Sequence, residues 1–216
     1  MEGTCRVVLV VVLYCAPFLS GLMHAQGGRP ETRRVVVISD LHMGEGRDST
    51  GAWSSFEDFR WSDEFELFLA ALDAETEVAT NLVLNGDTFE LVQAEGNDCS
   101  YREQVLGCSE ADALSRLTRV LDAHRGDVAA LGAFARSGDN RLVLVPGDHD
   151  AALLFSDVGL RAVSAFRAPA ERVRLATDGF WRSRDGFVHV EHGHQLETRA
   201  ERFDGWPSPF VFQSGR

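Results

Sequence analysis

The stretch Val35-Val36-Val37-Ile38-Ser39-Asp40-Leu41-His42 decides the fold class of this chain. Its first four residues are all apolar, as in a β-strand that is covered on both faces. An aspartate and a histidine two residues apart follow where the strand ends. Open α/β sheets hold their ligands at the carboxyl ends of their parallel strands. The stretch therefore predicts an α/β fold with a ligand site at one edge of its sheet.

Apolar runs bounded by turn residues indicate five further strands. These runs are Leu82–Leu84, Arg141–Val145, Val173–Ala176, Phe180–Arg182 and Phe187–Glu191. The last three are short and are separated by the Asp-Gly pairs at 178–179 and 185–186, which are typical of hairpin turns.

Segments with apolar residues at helical spacing lie between these strands. They predict a helix that opens at Asp63-Glu64, a helix over 110–135 broken near Gly126, and a helix over 151–166 broken at Gly159. Strand and helix thus alternate over the first two thirds of the chain, and the last third is β. This order favours a layered α/β domain with both parallel and antiparallel pairing.

Charge and composition exclude several classes of function. The net charge of −12 argues against nucleic acid as the main partner, because phosphate backbones require a basic surface. All 21 basic side chains are arginine. A phosphate-binding lysine and a Schiff-base lysine are therefore excluded, and phosphate would have to be bound by arginine, metal or backbone amides.

The first 25 residues have the features of a targeting segment. Arg6 precedes an apolar stretch over 7–19, which is short for a membrane span and contains Pro17. We expect a signal peptide over 1–25, a polar linker over 26–34 and one folded domain over 35–216, with no stable transmembrane span. An uncleaved anchor and a wrongly chosen start codon stay open. A signal peptide would export the chain to the periplasm or the medium, and without one it would be cytoplasmic.

The polar, irregular segment 93–109 predicts a loop within an insert over 93–135, where we expect a specificity cap. The loop contains Cys99 and Cys108. These two residues would form a disulfide in an oxidising compartment, or stay as free thiols.

Four clusters of metal-ligand residue types each follow an apolar run. They are Asp40-Leu41-His42, Gly86-Asp87-Thr88-Phe89-Glu90, Gly147-Asp148-His149-Asp150 and His192-Gly193-His194. Each alone is compatible with an ordinary turn or strand end, but four in succession are improbable by chance. Carboxylates and imidazoles together suit manganese, iron or zinc. We therefore expect the clusters to converge on a site for divalent metal.

The ordered set resembles the motifs of the calcineurin-like metallophosphoesterases, which read DxH, GDxx(D/E), GNH(D/E), a histidine and GHxH. The match covers residues 40–194. The resemblance implies a layered α-β-β-α fold with two mixed sheets and two divalent metal ions (Mn, Fe or Zn). It also implies hydrolysis of a phosphoester by a water that both metals activate. The substrate, a phosphorylated small molecule or a phosphodiester, and the oligomeric state stay open.

The resemblance assigns metal ligands residue by residue. Asp40 and His42 would bind the first metal, and Asp87 would bridge both. Asp148 and His192 would bind the second metal, although the family has asparagine at the position of Asp148. The extra carboxylate would make the metals weaker Lewis acids and raise the pH optimum, or bind the second metal more tightly.

The resemblance also assigns catalytic residues. His149 would protonate the leaving oxygen or stabilise the transition state, with Glu90 or Asp150 orienting its ring. His194 receives no role, because Glu191 stands where a GHxH motif has its glycine.

No GHxH motif follows His192 before the chain ends at Arg216. We therefore expect a second sheet that is incomplete at its C-terminal end, with Phe203 and Trp206 among uncovered apolar residues. The chain would then be a fragment, or a relative without two ligands and without catalysis. A second alternative is an enzyme like the UDP-2,3-diacylglucosamine pyrophosphohydrolases, whose corresponding segment is similar to Gly86–Glu90.

Overall fold

The main sheet of the protein has five strands. The computed structural model describes residues 11–13, 33–75, 78–92, 109–196, 203 and 205–208. The strand order is β1 (Val11–Leu13), β2 (Arg34–Ile38), β3 (Thr80–Asn85), β4 (Arg141–Val145) and β5 (Val173–Leu175). Strands β2 to β5 are parallel, and β1 pairs with β2 in the antiparallel direction.

Helices connect the parallel strands, as crossover connections require. The α-helices of the described residues are α1 (Ser62–Ala74), α2 (Glu110–Ala123), α3 (Arg125–Arg136) and α4 (Ser156–Ala165). Short 3₁₀ turns cover Ala151–Leu154 and His194–Leu196. Strands β6 (Phe180–Arg182) and β7 (His189–Glu191) pair as a separate antiparallel hairpin.

The alternation of side chains along the strands builds two cores, one on each face of the main sheet. Val36, Leu82 and Leu142 are buried with side chains of the four helices. Val83 and Val143 are buried on the opposite face, with residues of the β6–β7 hairpin. The described residues thus form three layers: helices, main sheet and hairpin. The α/β class is confirmed, and the full α-β-β-α layering stays a prediction.

The predicted break at Gly159 is wrong. The chain breaks at Phe155, and Gly159 lies inside α4. A Cβ on Gly159 would lie 2.6 Å from the carbonyl oxygen of Leu153 and 2.8 Å from Cδ2 of Leu175. Glycine is needed here for close packing rather than for a turn. The break predicted near Gly126 is present at His124, between α2 and α3.

Helices α2 and α3 occupy most of the insert that we expected over 93–135. Their side chains Leu117, Val120 and Leu131 are fully buried in the helical core. This part of the expected insert therefore belongs to the body of the domain. Residues 93–108, which include Cys99 and Cys108, lie outside the described residues. The same holds for the expected signal peptide, except residues 11–13, and for the expected linker up to residue 32. None of the described helices is both long and apolar enough to span a bilayer.

A buried charged triad fixes the loop after β2 to the helices. The Glu57 carboxylate accepts hydrogen bonds from the backbone N–H groups of Gly44 (3.0 Å) and Gly46 (2.8 Å). The same carboxylate lies 2.9 Å from Nε2 of His124, whose Nδ1 lies 3.1 Å from the carboxylate of Asp127. Burial alone would lower the pKa of His124, but the two carboxylates outweigh it and raise the pKa to about 9. The imidazole is therefore charged at neutral pH.

The charge on His124 predicts a stability difference that depends on pH. The pKa of His124 is raised above its ordinary value, so its contribution is complete below about pH 6.5 and is lost as the pH rises through about 9. We expect His124→Gln to cost about 3 kcal/mol of unfolding free energy at pH 6. The cost should shrink steadily towards pH 9.5.

Urea unfolding of the wild type and the variant at pH 6, 7.5 and 9.5 measures this difference. The control is His189→Gln on β7, because His189 is exposed. A cost for His124→Gln that does not change with pH would contradict a charged triad.

Candidate metal centre

The structure brings the four clusters together at one edge of the main sheet. The clusters after β2, β3 and β4 lie at the carboxyl ends of parallel strands, and His192 follows β7. Backbone hydrogen bonds continue between the loops: the N–H of His42 donates to the carbonyl of Asp87 (2.8 Å), and that of Leu91 donates to His149 (3.1 Å). The loops are therefore held in register beyond the ends of their strands.

Asp87 lies at the centre of the site. Its Oδ2 is 3.5 Å from Nε2 of His42 and 3.3 Å from Nε2 of His192. Its Oδ1 accepts a hydrogen bond of 3.0 Å from the backbone N–H of His149. Burial alone would raise the pKa of this carboxyl, but the hydrogen bond with His192 and the neighbouring imidazoles hold it below its ordinary value. A buried, ionised carboxylate thus faces two imidazoles through the same oxygen.

Three groups of side chains place possible ligand atoms within 4.8 Å of one another. They are His42 with Asp87 and His149, Asp40 with Asp87 and His192, and Asp148 with His192 and His194. All five predicted metal ligands occur in these groups. However, Asp40 and His42, predicted as a pair on one metal, fall into different groups that share Asp87.

His192 has an arrangement that a metal ion satisfies better than a proton does. Its Nδ1 donates to the carbonyl of Asn85 (2.9 Å), so Nε2 faces the carboxylates of Asp148 (3.2 Å) and Asp87 (3.3 Å). Burial would lower the pKa of His192, but Asp148 and Asp87 outweigh it and raise the pKa to about 11. One N–H can serve two carboxylates only through a shared, bifurcated hydrogen bond, whereas a divalent ion can bind several donors. The residues therefore fit a divalent transition metal, whose binding would release this proton.

Glu90 and Asp150 have different surroundings. The Glu90 carboxylate lies 2.7 Å from Nδ1 of His149 and 3.3 Å from Nδ1 of His42. The Asp150 carboxylate accepts hydrogen bonds from backbone N–H groups, among them Gly147 (2.7 Å) and Thr88 (2.9 Å). Of the two carboxylates predicted to orient His149, the contact is therefore made by Glu90. Burial and the charge of Asp87 raise the pKa of Asp150 to about 6.

Backbone strain is concentrated at the predicted ligands. In the described part of the chain, the non-glycine residues with positive φ are Asp40 (58°), His42 (47°), Asp87 (51°) and Arg167 (50°). Such left-handed conformations are uncommon for residues with a Cβ, and they cluster at functional sites. Three of these four residues are predicted metal ligands. The loops therefore hold these ligands in a fixed, strained geometry.

The role of His194 was not found from the sequence. This side chain is buried, and burial lowers its pKa. Its ring packs edge-on against Trp206, with the ring centroids 4.4 Å apart, and against Phe203 at 5.7 Å. Phe203 and Trp206, expected as uncovered apolar residues, are therefore partly covered. The HxH spacing of His192 and His194 was the available signal for a second ligand.

Comparisons with known protein families, with curated proteins and with solved structures found no match. A fold by itself does not define an activity, because many functions share one fold. The functional argument for this chain therefore depends on the residues and geometry of the site.

The left-handed conformation of His42 predicts an unusual order of stability for two variants. Alanine has a Cβ that the left-handed region disfavours, and glycine does not. We therefore expect His42→Gly to be more stable than His42→Ala by about 1 kcal/mol. Urea unfolding in the presence of a chelator measures the difference.

Glu66, which is exposed within α1, provides the matched control. There the order should reverse, because alanine favours a helix by about 1 kcal/mol over glycine. A His42→Ala variant as stable as His42→Gly would show that the strained conformation is not maintained.

Proposed function

We propose that this chain is a metal-dependent phosphoester hydrolase that resembles the calcineurin-like metallophosphoesterases. The observation that carries the proposal is the position of Asp87. Its buried carboxylate belongs to two of the three ligand groups, and its Oδ2 lies 3.5 Å from Nε2 of His42 and 3.3 Å from Nε2 of His192. A carboxylate shared by two ligand groups suits a site for two divalent ions.

In the proposed arrangement each ion has two ligands besides Asp87. Asp40 and His42 would hold the first ion, and Asp148 and His192 would hold the second. When bound, the two ions would polarise a phosphoryl oxygen and activate a water molecule. The protein contributes a fixed arrangement of donors, because the backbone hydrogen bonds between the loops leave the ligands little freedom to move apart.

His149 is suited to deliver a proton to the leaving oxygen. Its Nδ1 is bound to Glu90 at 2.7 Å, which leaves Nε2 as the nitrogen available to a substrate. The side chain is 26% exposed, so a bound phosphoester can reach it. Burial would lower its pKa, but Glu90, Asp87 and Asp148 outweigh it and raise the pKa to about 9. Positive charge bound nearby would bring this pKa down towards the range that is useful for an acid at neutral pH.

The test of the proposed function is hydrolysis of bis-(4-nitrophenyl) phosphate and 4-nitrophenyl phosphate with added Mn²⁺. We expect turnover of at least one substrate, and the two together separate diesterase from monoesterase activity. Asp87→Asn should reduce kcat about a thousandfold, because several kcal/mol of transition-state stabilisation are lost. Asparagine tolerates the left-handed backbone of this position, so the fold should survive.

The control for this assay is Asp178→Asn, an exposed residue in the turn before β6. Turnover that persists undiminished in Asp87→Asn would disprove the mechanism with two ions. Binding of metal without turnover of any phosphoester would instead favour a non-catalytic metal-binding protein.

Asp148→Asn tests the departure from the family pattern. The Asp148 carboxylate lies 3.2 Å from Nε2 of His192, so neutralising it removes one negative charge from the second ion. We expect weaker binding of that ion and an acid limb of the pH–rate profile that moves to lower pH. Competition with a chromophoric chelator measures the affinity. A variant with unchanged affinity and an unchanged pH profile would show that this carboxylate is not a ligand.

A further inference from the structure

The proposed function leaves one buried imidazole of the candidate metal centre unused. His194 begins the 3₁₀ turn that follows β7. Its ring centroid lies 5.5 Å from that of His192. A ligand atom of His194 lies within 4.8 Å of ligand atoms of Asp148 and His192. Three donors from two loops thus surround one small volume on the Asp148 side of the site.

The hydrogen bonds of His194 determine which of its nitrogens is free. The side-chain amide of Gln195, in the orientation that satisfies its neighbours, accepts from Nε2 of His194 at 2.9 Å and from the backbone N–H of Phe203 at 3.1 Å. Nε2 therefore carries the hydrogen, and Nδ1 carries the lone pair. Nδ1 is buried and has no hydrogen-bond partner in the structure described here. Buried acceptors are rarely left unpaired, because they lose their interaction with water without replacing it.

The surroundings of the ring hold this tautomer in place. His194 is 4% exposed, with Trp206 and Phe203 packed edge-on against it. Metal-binding histidines characteristically use one nitrogen for the metal and donate the other N–H to an oxygen that fixes the ring. Gln195 serves His194 in this way, and the carbonyl of Asn85 serves His192 in the same way.

We propose that His194 is a ligand of the second metal ion through Nδ1, together with Asp148 and His192. The inference rests on the metal centre of the proposed function, but not on its catalysis. Two imidazoles and one carboxylate favour Zn²⁺, Co²⁺ or Fe²⁺ over Mg²⁺ or Ca²⁺, which prefer oxygen donors. The second position therefore selects for a transition metal, whatever reaction the site performs.

The decisive measurement is the affinity for Zn²⁺ and Co²⁺, determined in competition with a chromophoric chelator. The variants are His194→Gln and His194→Phe. The phenylalanine keeps an aromatic ring against Trp206 but offers no nitrogen. We expect the wild type to bind two ions. Both variants should bind the second ion at least about a hundredfold more weakly, because losing a ligand should weaken metal binding at least as much as losing a residue that only orients a ligand. His189→Gln, on the same hairpin but outside the ligand groups, should bind like the wild type.

A purely structural role for His194 gives a different result. In that case His194→Phe would keep the affinity of the wild type, and only the unfolding free energy of the variants in chelator would change. Wild-type affinity in both His194 variants would overturn the inference while leaving the hydrolase proposal intact. A wild type that binds no ion would overturn both, and a wild type that binds two ions without turnover would overturn only the hydrolase proposal.

A measurement on the wild type does not depend on how the variants fold. In protein labelled with ¹⁵N-histidine, Zn²⁺ should shift the Nδ1 resonance of His194, while its Nε2 keeps its proton. An Nδ1 resonance that Zn²⁺ leaves unchanged would overturn the inference.

Discussion

The buried carboxylate of Asp150 holds the two central loops of the site together. It accepts hydrogen bonds from the backbone N–H of Gly147, in the loop after β4, and from the backbone N–H groups of residues 87–89, in the loop after β3. A charge without such partners would be costly at a fully buried position. Four amide donors from two loops compensate it, and they can do so only when the loops lie side by side. Because these loops carry Asp87, Asp148 and His149, Asp150 and the backbone hydrogen bonds between the loops together fix the geometry of the candidate metal centre.

Close approach of the backbone imposes a second constraint on the same loops. A Cβ on Gly147 would collide with the carboxylate of Asp87 and lie 2.8 Å from Cδ2 of His192. A Cβ on Gly86, which has a φ of 79°, would collide with the ring of His192. The glycines that precede the two aspartates therefore do more than turn the chain after each strand. They make room for His192, which follows β7 and lies more than forty positions further along the sequence than either of them.

The parts of this structure that depend on local sequence could be predicted. The apolar runs correctly indicated β2, β3 and β4, and their parallel pairing explains why the clusters after them meet at one edge. The contacts that decide the role of each residue depend on side chains far apart in the chain. Glu57 and His124 are 67 residues apart, and Glu90 and His149 are 59 residues apart. No local pattern indicates which of Glu90 and Asp150 faces His149, because that choice is made by packing.

His194 shows the same limit at a shorter range. Its neighbours along the chain suggested only the end of a strand, and the family pattern offered it no role. Its tautomer depends on Gln195, whose orientation in turn depends on the backbone of Phe203. The unpaired Nδ1 therefore becomes visible only when the tertiary structure is known.

Two of the imidazoles that lie between two carboxylates, those of His124 and His192, differ in which ring nitrogens face the carboxylates. In Glu57–His124–Asp127, each carboxylate contacts a different ring nitrogen, so two N–H groups satisfy both. In the arrangement around His192, both carboxylates face the same nitrogen.

A single N–H can serve both carboxylates only through a bifurcated hydrogen bond, whereas a multivalent ion can bind all three donors. The arrangement around His192 also borders Asp40, which is exposed, and further donors on neighbouring loops. The first triad is sealed inside the domain, where Glu57 is fully buried. The same three functional groups thus stabilise the fold at one place, and at the other they form part of a candidate metal centre with further donors within reach.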